Sequence, residues 1–287
     1  MKLGHYAISF LMAMMLSSAA QASERWVVLG GDIAETVDAL GASINVVARD
    51  DTVVYPPEMA ALPSVGYLRQ LSAESVLSVS PDRVLTAGHA GPPEVLEQLA
   101  AVGVEVSIIP ASTSLNGIAD KVREISQHLG HEPAGDTLAA AIDTKLARLA
   151  EQPPLPPLKA MFILHHSGLT PRAAGRDTAA HATLEAVGLH NAFAEMRGYH
   201  SVSAESLAHH APDIIVMSAR GLEALGGKQA LWQLPGMRLT PAGQARQLIV
   251  IDDQALLGFG PRAPDQLLAL RQRVEQLVAQ ATAQVNP

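Results

Sequence analysis

The chain of 287 residues carries 28 acidic and 20 basic side chains, a formal net charge of −8 and no cysteine. The negative balance argues against nucleic-acid binding, which needs clustered Lys and Arg, and the lack of cysteine excludes disulfides, thiolate metal sites and cysteine nucleophiles. Only 3% of the residues are aromatic, so an extensive stacking surface for sugars or single-stranded nucleic acid is not expected.

The first 22 residues have the features of a secretory signal peptide. Lys2 precedes a short apolar run at residues 8–16, and residues 20–22 read Ala-Gln-Ala, a small-x-small cleavage pattern. The apolar run is shorter than the roughly 20 residues that a membrane-spanning helix needs. We therefore expect a cleaved signal peptide at residues 1–22 and an exported chain. Without disulfides or a lipid-modified cysteine, such a chain fits a bacterial periplasm.

Predicted strands and helices alternate in the segment that follows. Short apolar runs predict strands, and amphipathic runs of about ten residues predict helices. The strands are expected at residues 26–29, 44–48, 84–86 and 104–109, and the helices at residues 33–40 and 93–102. This alternation indicates α/β units around a mainly parallel sheet.

The alternation stops at a long helical stretch and then resumes. Residues 114–152 read as nearly continuous helix, and the proline-rich residues 153–157 end it. Strands are predicted again at residues 160–164, 214–217 and 248–251, with helices at residues 178–187 and 263–281. We therefore predict an N-terminal α/β lobe at residues 23–130, a linking helix at residues 131–157 and a C-terminal α/β lobe at residues 158–287.

A short internal repeat relates the two predicted lobes. Ser72-Ala-Glu-Ser75 recurs as Ser203-Ala-Glu-Ser206, and Pro81-Asp82 recurs as Pro212-Asp213 at the same offset of 131 residues. The first Ser of each copy can cap a helix, and the Glu in the first turn suits the helix dipole. Generic helix-start chemistry explains part of this similarity. The agreement in type, spacing and context favours a duplicated lobe.

Four segments resemble those of a known family. They are VGYLRQLSAE at residues 65–74, FILHHSG at residues 162–168, AAGRDTAA at residues 173–180 and GFGPRA at residues 258–263. With the two lobes, the linking helix and the leader, they resemble the haem-binding proteins of bacterial haem ABC importers, within the helix-linked class III of periplasmic binding proteins. The similarity extends over residues 25–280.

The resemblance implies a fold and a function. The expected fold is α/β, with two similar Rossmann-like lobes, central mainly parallel sheets, and a long rigid α-helix that joins them. The expected protein is not an enzyme. It captures haem (ferric protoporphyrin IX) between the lobes and delivers it to an ABC permease dimer with its ATPase subunits, downstream of an outer-membrane haem receptor.

The resemblance makes Tyr67 the expected ligand of the haem iron. In that family the tyrosine of the Gly-Tyr-x-Arg loop binds iron, and a phenolate is a hard anionic donor suited to ferric iron. Arg69 can stabilise the phenolate or contact a haem propionate. The alternative is a turn tyrosine beside a solvated arginine.

The resemblance also implies contacts from the C-terminal lobe. His166, or alternatively His165, is the expected second axial ligand, since neighbouring strand residues point to opposite sides. In the competing interpretation both histidines only line the pocket. Arg172 and Arg176, placed on the loop and helix start that follow, are candidates for propionate contacts, with solvated side chains as the alternative. Tyr199, which lacks an arginine two residues later, is expected to line the cleft.

Two glutamates are expected to face the importer. In the family one exposed glutamate on each lobe meets arginines of the permease, and Glu74 and Glu205 of the repeated segments form a matching pair. A two-fold permease would require such pseudo-symmetry. The alternative is a role in the capped helix turn only.

Three other functions remain open from the sequence. Cobalamin and ferric siderophores are the ligands of related carriers, although their pockets usually need more aromatic or cationic groups. A periplasmic metal-dependent hydrolase could use His165, His166 and an acidic partner, but the chain lacks a His-x-Glu-x-x-His-like motif or clustered His/Asp ligands.

Overall fold

The computed structural model describes residues 24–111, 114–166, 168 and 170–285. The predicted signal peptide at residues 1–22 lies outside them. Within the described residues, a four-stranded and a six-stranded sheet form the centres of two lobes. No helix in this part of the chain is long and apolar enough to cross a membrane. The predicted α/β class with two lobes is confirmed, and the lobe boundaries at residues 130 and 158 stay predictions.

The N-terminal sheet is wholly parallel. Its strands are β1 (Trp26–Leu29), β2 (Val46–Arg49), β3 (Arg83–Ala87) and β4 (Glu105–Ile109). They lie in the order β2-β1-β3-β4, and all four residues of β1 are buried, as expected for a strand covered on both faces. The covering helices are α1 (Gly31–Ala39), α2 (Pro57–Ala60), α3 (Ala73–Leu77) and α4 (Pro93–Ala101), with a 3₁₀ turn at Ser43–Asn45.

The long helical stretch folds as a hairpin of two packed helices. They are α5 (Gly117–Leu129) and α6 (Glu132–Ala150), separated by Gly130 in the left-handed conformation at φ 69°. The helices approach closely at Gly135, where a Cβ atom would lie 2.1 Å from Ser126 Oγ. Helix α6 falls within the predicted linking segment, but it rests on α5 instead of standing alone.

The C-terminal sheet is mixed. Its path is β10-β9-β5-β6-β8, and β7 pairs with β5. The pairs β5/β7, β5/β9 and β9/β10 are parallel, and β5/β6 and β6/β8 are antiparallel. The strands are β5 (Lys159–Leu164), β6 (Arg172–Ala174), β7 (His190–Asn191), β8 (Tyr199–Ser201), β9 (Ile214–Ser218) and β10 (Leu248–Ile251).

Seven helices of the described residues accompany this sheet or follow it. They are α7 (Ala179–Ala186), α8 (Ala204–His210), α9 (Ala219–Ala224), α10 (Gly227–Gln233), α11 (Pro241–Ala245), α12 (Asp253–Gly258) and α13 (Ala263–Val285), with a 3₁₀ turn at Met237–Leu239. Apolar side chains from these helices and from both faces of the sheet form two buried clusters. The N-terminal sheet has its own pair of clusters.

The sequence repeat makes the same bonds in both lobes. In each copy the first Ser caps its helix by accepting a 3.1 Å hydrogen bond, and the Asp accepts a 2.8 Å bond from a backbone N–H at the start of the lobe's first strand. In the N-terminal lobe, the Ser75 N–H donates to Ser72 Oγ and the Arg25 N–H donates to Asp82 Oδ2. In the C-terminal lobe, the Ser206 N–H donates to Ser203 Oγ and the Lys159 N–H donates to Asp213 Oδ2. The repeated residues therefore fix equivalent helix starts and strand starts.

The two lobes also meet through a buried amide. Gln254 on α12 inserts into the N-terminal lobe, where its Oε1 accepts from the backbone N–H groups of Val54 (2.7 Å) and Tyr55 (2.9 Å). Its Nε2 donates to Gly31 O (3.1 Å), Tyr55 O (2.8 Å) and Glu35 Oε1 (2.7 Å). The hydrogen-bonding capacity of the amide is thus filled across the lobe interface.

An arginine reinforces the same contact. The Arg262 guanidinium pairs with Glu35 at 2.7 Å and with Asp252 at 2.8 Å, and its carbon atom Cζ lies 3.8 Å from the centre of the Tyr55 ring. Burial raises the pKa of the Glu35 carboxyl, and the bonds from Arg262 act in the opposite direction. The lobes are therefore joined by polar contacts as well as by α6.

Candidate functional site

The carboxyl ends of strands from both sheets border one cavity of about 760 Å³. Ligands of parallel α/β sheets bind at these strand ends, and the volume suits a small-molecule site. The N-terminal lobe contributes Asp51, Thr52 and Tyr67, and the C-terminal lobe contributes His165, His166, Ser218, Arg220, Gly221, Glu223, Ala224 and Asp253. A second hollow of about 840 Å³ borders α10 and the amino end of β10, and none of the predicted site residues line it.

Tyr67 reaches the cavity from a loop with buried anchors. Val65 and Leu68 are 4% and 3% exposed, whereas Tyr67 is 43% exposed. Gly66 has a φ of 102°, a conformation that favours glycine, and its carbonyl accepts a 2.9 Å bond from Asp51 N–H. The loop therefore buries its aliphatic side chains and leaves the phenol at the cavity.

Arg69 lies on the same loop and acts on groups of both lobes. Its charge lowers the pKa of His89, although burial is the larger cause of that lowering. Burial raises the pKa of Tyr199, and the charge of Arg69 opposes that rise. The guanidinium is thus within electrostatic reach of a phenol in the C-terminal lobe. This position can also stabilise an anionic ligand group.

His165 and His166 follow β5 and line the cavity opposite Tyr67. His165 is half-buried, and its Nδ1 is buried without a hydrogen-bond partner among the described residues. His166 is exposed. A buried ring nitrogen without a partner is a candidate contact for a bound molecule. The preference for His166 over His165 stays a prediction.

Three other predicted residues lie outside the cavity lining. Arg172 is the first residue of β6, so its predicted position in a loop is wrong. Its exposed guanidinium donates a hydrogen bond to Tyr199 O. Arg176 does not start a helix, because Thr178 caps α7, and it is bridged to Arg197 instead. Tyr199 is half-buried on β8. The short antiparallel pairing of β6 and β8 causes these differences.

The cavity wall contains an ion pair that was not predicted from the sequence. Arg220 Nη2 lies 2.9 Å from Asp253 Oδ2, and both residues line the cavity. Ser218, which caps α9, lies beside them. A signal was available, because these residues directly follow the apolar runs that predicted β9 and β10. Residues in that position face the ligand edge of a parallel sheet.

Glu74 and Glu205 occupy matching surface positions. Each is exposed in the first turn of its helix, α3 or α8, directly after the capping Ser. The described residues contain no ion pair of either glutamate. Both carboxylates are therefore available to a partner.

Comparison with known proteins places this architecture in a family and among solved structures. Residues 27–255 match the model of the periplasmic binding protein family. The periplasmic heme-binding protein RhuT from Roseiflexus sp. RS-1 in apo form is 38% identical, with 87% of this chain and 97% of that chain covered and a TM-score of 0.83. The periplasmic heme-binding protein BhuT in complex with two hemes is 37% identical, with 89% and 99% covered and a TM-score of 0.82.

One relative is named for a different ligand, cobalamin. The cobalamin-binding protein of Halobacterium salinarum is 28% identical over 208 residues, which are 70% of this chain and 56% of that protein. The matched region thus spans little more than half the length of that relative. The family model, in contrast, covers most of the chain, including both sheets and the strand ends that line the cavity. The chain belongs to the periplasmic binding protein family.

Proposed function

We propose that this protein captures haem in the cavity between its lobes and delivers it to an ABC importer. The observation that carries the proposal is the meeting of Tyr67 from one lobe with His165 and His166 from the other in one cavity. Two solved heme-binding proteins with 38% and 37% identity over nearly their whole length support the same ligand. Capture and release require no chemical step, so the protein acts as a carrier and not as an enzyme.

Tyr67 binds the ferric iron as a phenolate in this proposal. A phenolate oxygen is a hard anionic donor suited to ferric iron, and tyrosine is an established haem ligand. His166, or alternatively His165, approaches the iron from the opposite lobe. The half-buried Tyr199 covers part of the porphyrin, whose apolar surface is removed from water in the cavity.

Cationic side chains hold the haem propionates. Arg220 lines the cavity and pairs with Asp253 at 2.9 Å, whereas Arg69 lies outside the lining, two residues after Tyr67 on the same loop. Arg172 and Arg176 are exposed outside the cavity lining, so they suit propionates that extend to its rim. A guanidinium binds a carboxylate through two parallel hydrogen bonds, which fixes its orientation.

The importer binds at the exposed glutamates. Glu74 and Glu205 lie in the first turns of equivalent helices of the two lobes, outside the cavity lining. The permease dimer presents the complementary cations, and its ATPase subunits drive release. Membership of the periplasmic binding protein family supports a periplasmic location for the protein. The leader that would direct export lies at residues 1–22, outside the described part of the chain.

Haemin titration of the purified protein tests the proposal. The wild type should develop a Soret band and the charge-transfer band of tyrosinate-bound ferric haem. Loss of a residue that only orients a metal ligand weakens affinity about 10- to 100-fold. Tyr67→Phe removes the ligand oxygen itself, so it should weaken haemin binding by more than about 100-fold. His166→Ala should have a smaller effect.

Tyr55→Phe is the matched control, because Tyr55 lies at the lobe interface and does not line the cavity. It should bind haemin like the wild type. A wild type that shows only the spectrum of free haemin would end the proposal. A larger effect of His166→Ala than of Tyr67→Phe would overturn the ligand assignment.

Cobalamin is the second candidate ligand. The relative from Halobacterium salinarum favours it, whereas the low aromatic content of 3% disfavours it. Competition between haemin and cyanocobalamin in one titration separates the two ligands. A hydrolase has less support, since the described residues contain no group of three or more His, Asp or Glu side chains arranged to hold a metal ion.

A further inference from the structure

A fully buried carboxylate lies beneath the loop that carries Tyr67. Asp50 follows β2 and is 0% exposed. Its Oδ1 accepts from Gly30 N–H at 2.8 Å and from Thr52 Oγ1 at 3.0 Å, and its Oδ2 accepts from Thr52 N–H at 2.9 Å. The backbone N–H of Leu68 also faces this carboxylate and lowers its pKa. Asp50 therefore holds its own turn, which includes Thr52, to the turn at Gly30. The next residue, Asp51, donates its backbone N–H to Gly66 O at 2.9 Å and so joins the same turn to the loop that carries Tyr67.

Asp50 differs from the other buried carboxylates of its lobe. Asp32 pairs with Lys121 at 2.5 Å, and Glu35 pairs with Arg262 at 2.7 Å. Among the described residues Asp50 has no cationic partner and is held by neutral donors alone. Burial raises the pKa of Asp50 more than these donors lower it. Burying an ionisable group without an opposite charge costs free energy, and its hydrogen bonds to the backbone offset that cost.

The turn that Asp50 holds and the loop joined to it lie on the side of the cavity that carries Tyr67. Thr52 lines the cavity itself. Leu68 stands between Tyr67 and Arg69, the proposed ligand and its charge partner. Gly30 belongs to the turn between β1 and α1, which is fixed by the central strand of the sheet. A carboxylate accepts several donors at once, and an amide or hydroxyl of the same size cannot.

We propose that Asp50 is a positioning residue for Tyr67. It ties the ligand loop to the central strand and so sets the distance and angle at which the phenolate meets iron. The inference rests on the proposed haem function. It assigns to Asp50 no contact with haem, only control of the loop that makes the contact.

Asp50→Asn tests this role with a nearly isosteric change. The amide turns an N–H group towards at least one of the backbone or hydroxyl donors, so one bond is lost and the loop shifts. Loss of a residue that orients a metal ligand weakens affinity about 10- to 100-fold, so Asp50→Asn should lower haemin affinity by a factor in that range. The charge-transfer band of the fully loaded variant should also shift, because the iron–phenolate geometry changes.

A double-mutant cycle separates positioning from a general structural effect. In the Tyr67→Phe background, Asp50→Asn should change the remaining haemin affinity less than about two-fold, because the residue on which it acts is gone. Equal losses in both backgrounds, or an unchanged charge-transfer band with wild-type affinity, would refute the positioning role. Asp82→Asn makes the same chemical change at the opposite edge of the sheet, and it should leave the band unchanged.

Two further outcomes are distinguishable. If Asp50→Asn does not fold, Thr52→Val removes only the hydroxyl donor, and the same cycle with Tyr67→Phe then decides the question. A wild type that does not bind haemin refutes the proposed function. A wild type that binds haemin beside an Asp50→Asn variant with the same affinity and spectrum refutes the positioning role alone.

Discussion

At the scale of single residues, the cavity is built from side chains that come directly after buried strands. His165 follows β5, and Asp253 comes two residues after β10. The backbone N–H and C=O groups of each strand are hydrogen-bonded within its sheet. The side chain that follows the strand can therefore contact a ligand. Tyr67 uses a different device, because buried Val65 and Leu68 hold its loop.

His210 gives the protein a predicted acid sensitivity. Its ring is 6% exposed and stacks 4.0 Å from Phe193, and burial, followed by the charge of His209, lowers its pKa from the ordinary value of 6.5. The unfolded chain therefore binds a proton more readily than the folded chain. Stability contributed by His210 should fall as the pH decreases through about 6.5 towards the lower folded pKa.

Urea denaturation at several pH values between about 5 and 8 measures this effect. The free energy of unfolding of the wild type minus that of His210→Phe should decrease as the pH falls. His209→Phe, an exposed neighbour, serves as the control and should change the pH dependence much less. Parallel curves for the wild type and His210→Phe would contradict the assignment.

At the scale of elements, α12 contacts the N-terminal lobe through the buried side chain of Gln254. Truncation by Gln254→Ala leaves the backbone N–H groups of Val54 and Tyr55 without their buried acceptor. An unsatisfied buried group costs about 1–3 kcal/mol. We therefore expect Gln254→Ala to lower the free energy of unfolding by about 2–4 kcal/mol in urea denaturation, whereas exposed Gln229→Ala should change it by less than about 0.5 kcal/mol. A loss below that smaller value for Gln254→Ala would show that water replaces the amide.

The elements differ in how far the sequence alone predicts them. The strands β5, β9 and β10 are predicted within one residue at each end, because each is a short apolar run that the local sequence alone identifies. In contrast, β6 reads Arg-Ala-Ala and β8 reads Tyr-His-Ser. Neither has the apolar alternation of a strand, and both exist through antiparallel pairing with neighbours. Arg172 was misplaced for this reason.

The site divides in the same way. Tyr67, His165 and His166 are predicted from local motifs, and the structure brings them to one cavity. The ion pair of Arg220 with Asp253 joins residues 33 positions apart, and the Gln254 contact joins residues about 200 apart. The apolar runs place Arg220 and Asp253 each after a strand, but their pairing depends on β9 and β10 being neighbours in the sheet. The Gln254 contact depends on how the two lobes face each other.

At the scale of the whole molecule, we expect changes at Glu74 and Glu205 to impair haem transport by the importer without affecting haemin binding by this protein. Glu74→Lys and Glu205→Lys should leave haemin affinity unchanged, because both residues lie outside the cavity lining. Like charges placed against each other at an interface cost several kcal/mol. Each reversal should therefore lower haem-stimulated ATP hydrolysis by the reconstituted importer by at least about ten-fold.

Glu97→Lys, an exposed change on α4, controls for charge alone and should retain activity. Full activity of the double variant Glu74→Lys/Glu205→Lys would rule out docking through these residues. Loss of haemin binding in either single variant would show that the change disturbs the carrier itself.

The buried amide of Gln254 also determines when the first lobe is complete. Its acceptor on Gly31 lies 223 residues earlier in the chain, and the Arg262 partner of Glu35 lies 227 residues after that glutamate. The turn after β1 is therefore synthesised more than 200 residues before its partners. Its bonds to Gln254 and Arg262 can form only after both of those residues have been made.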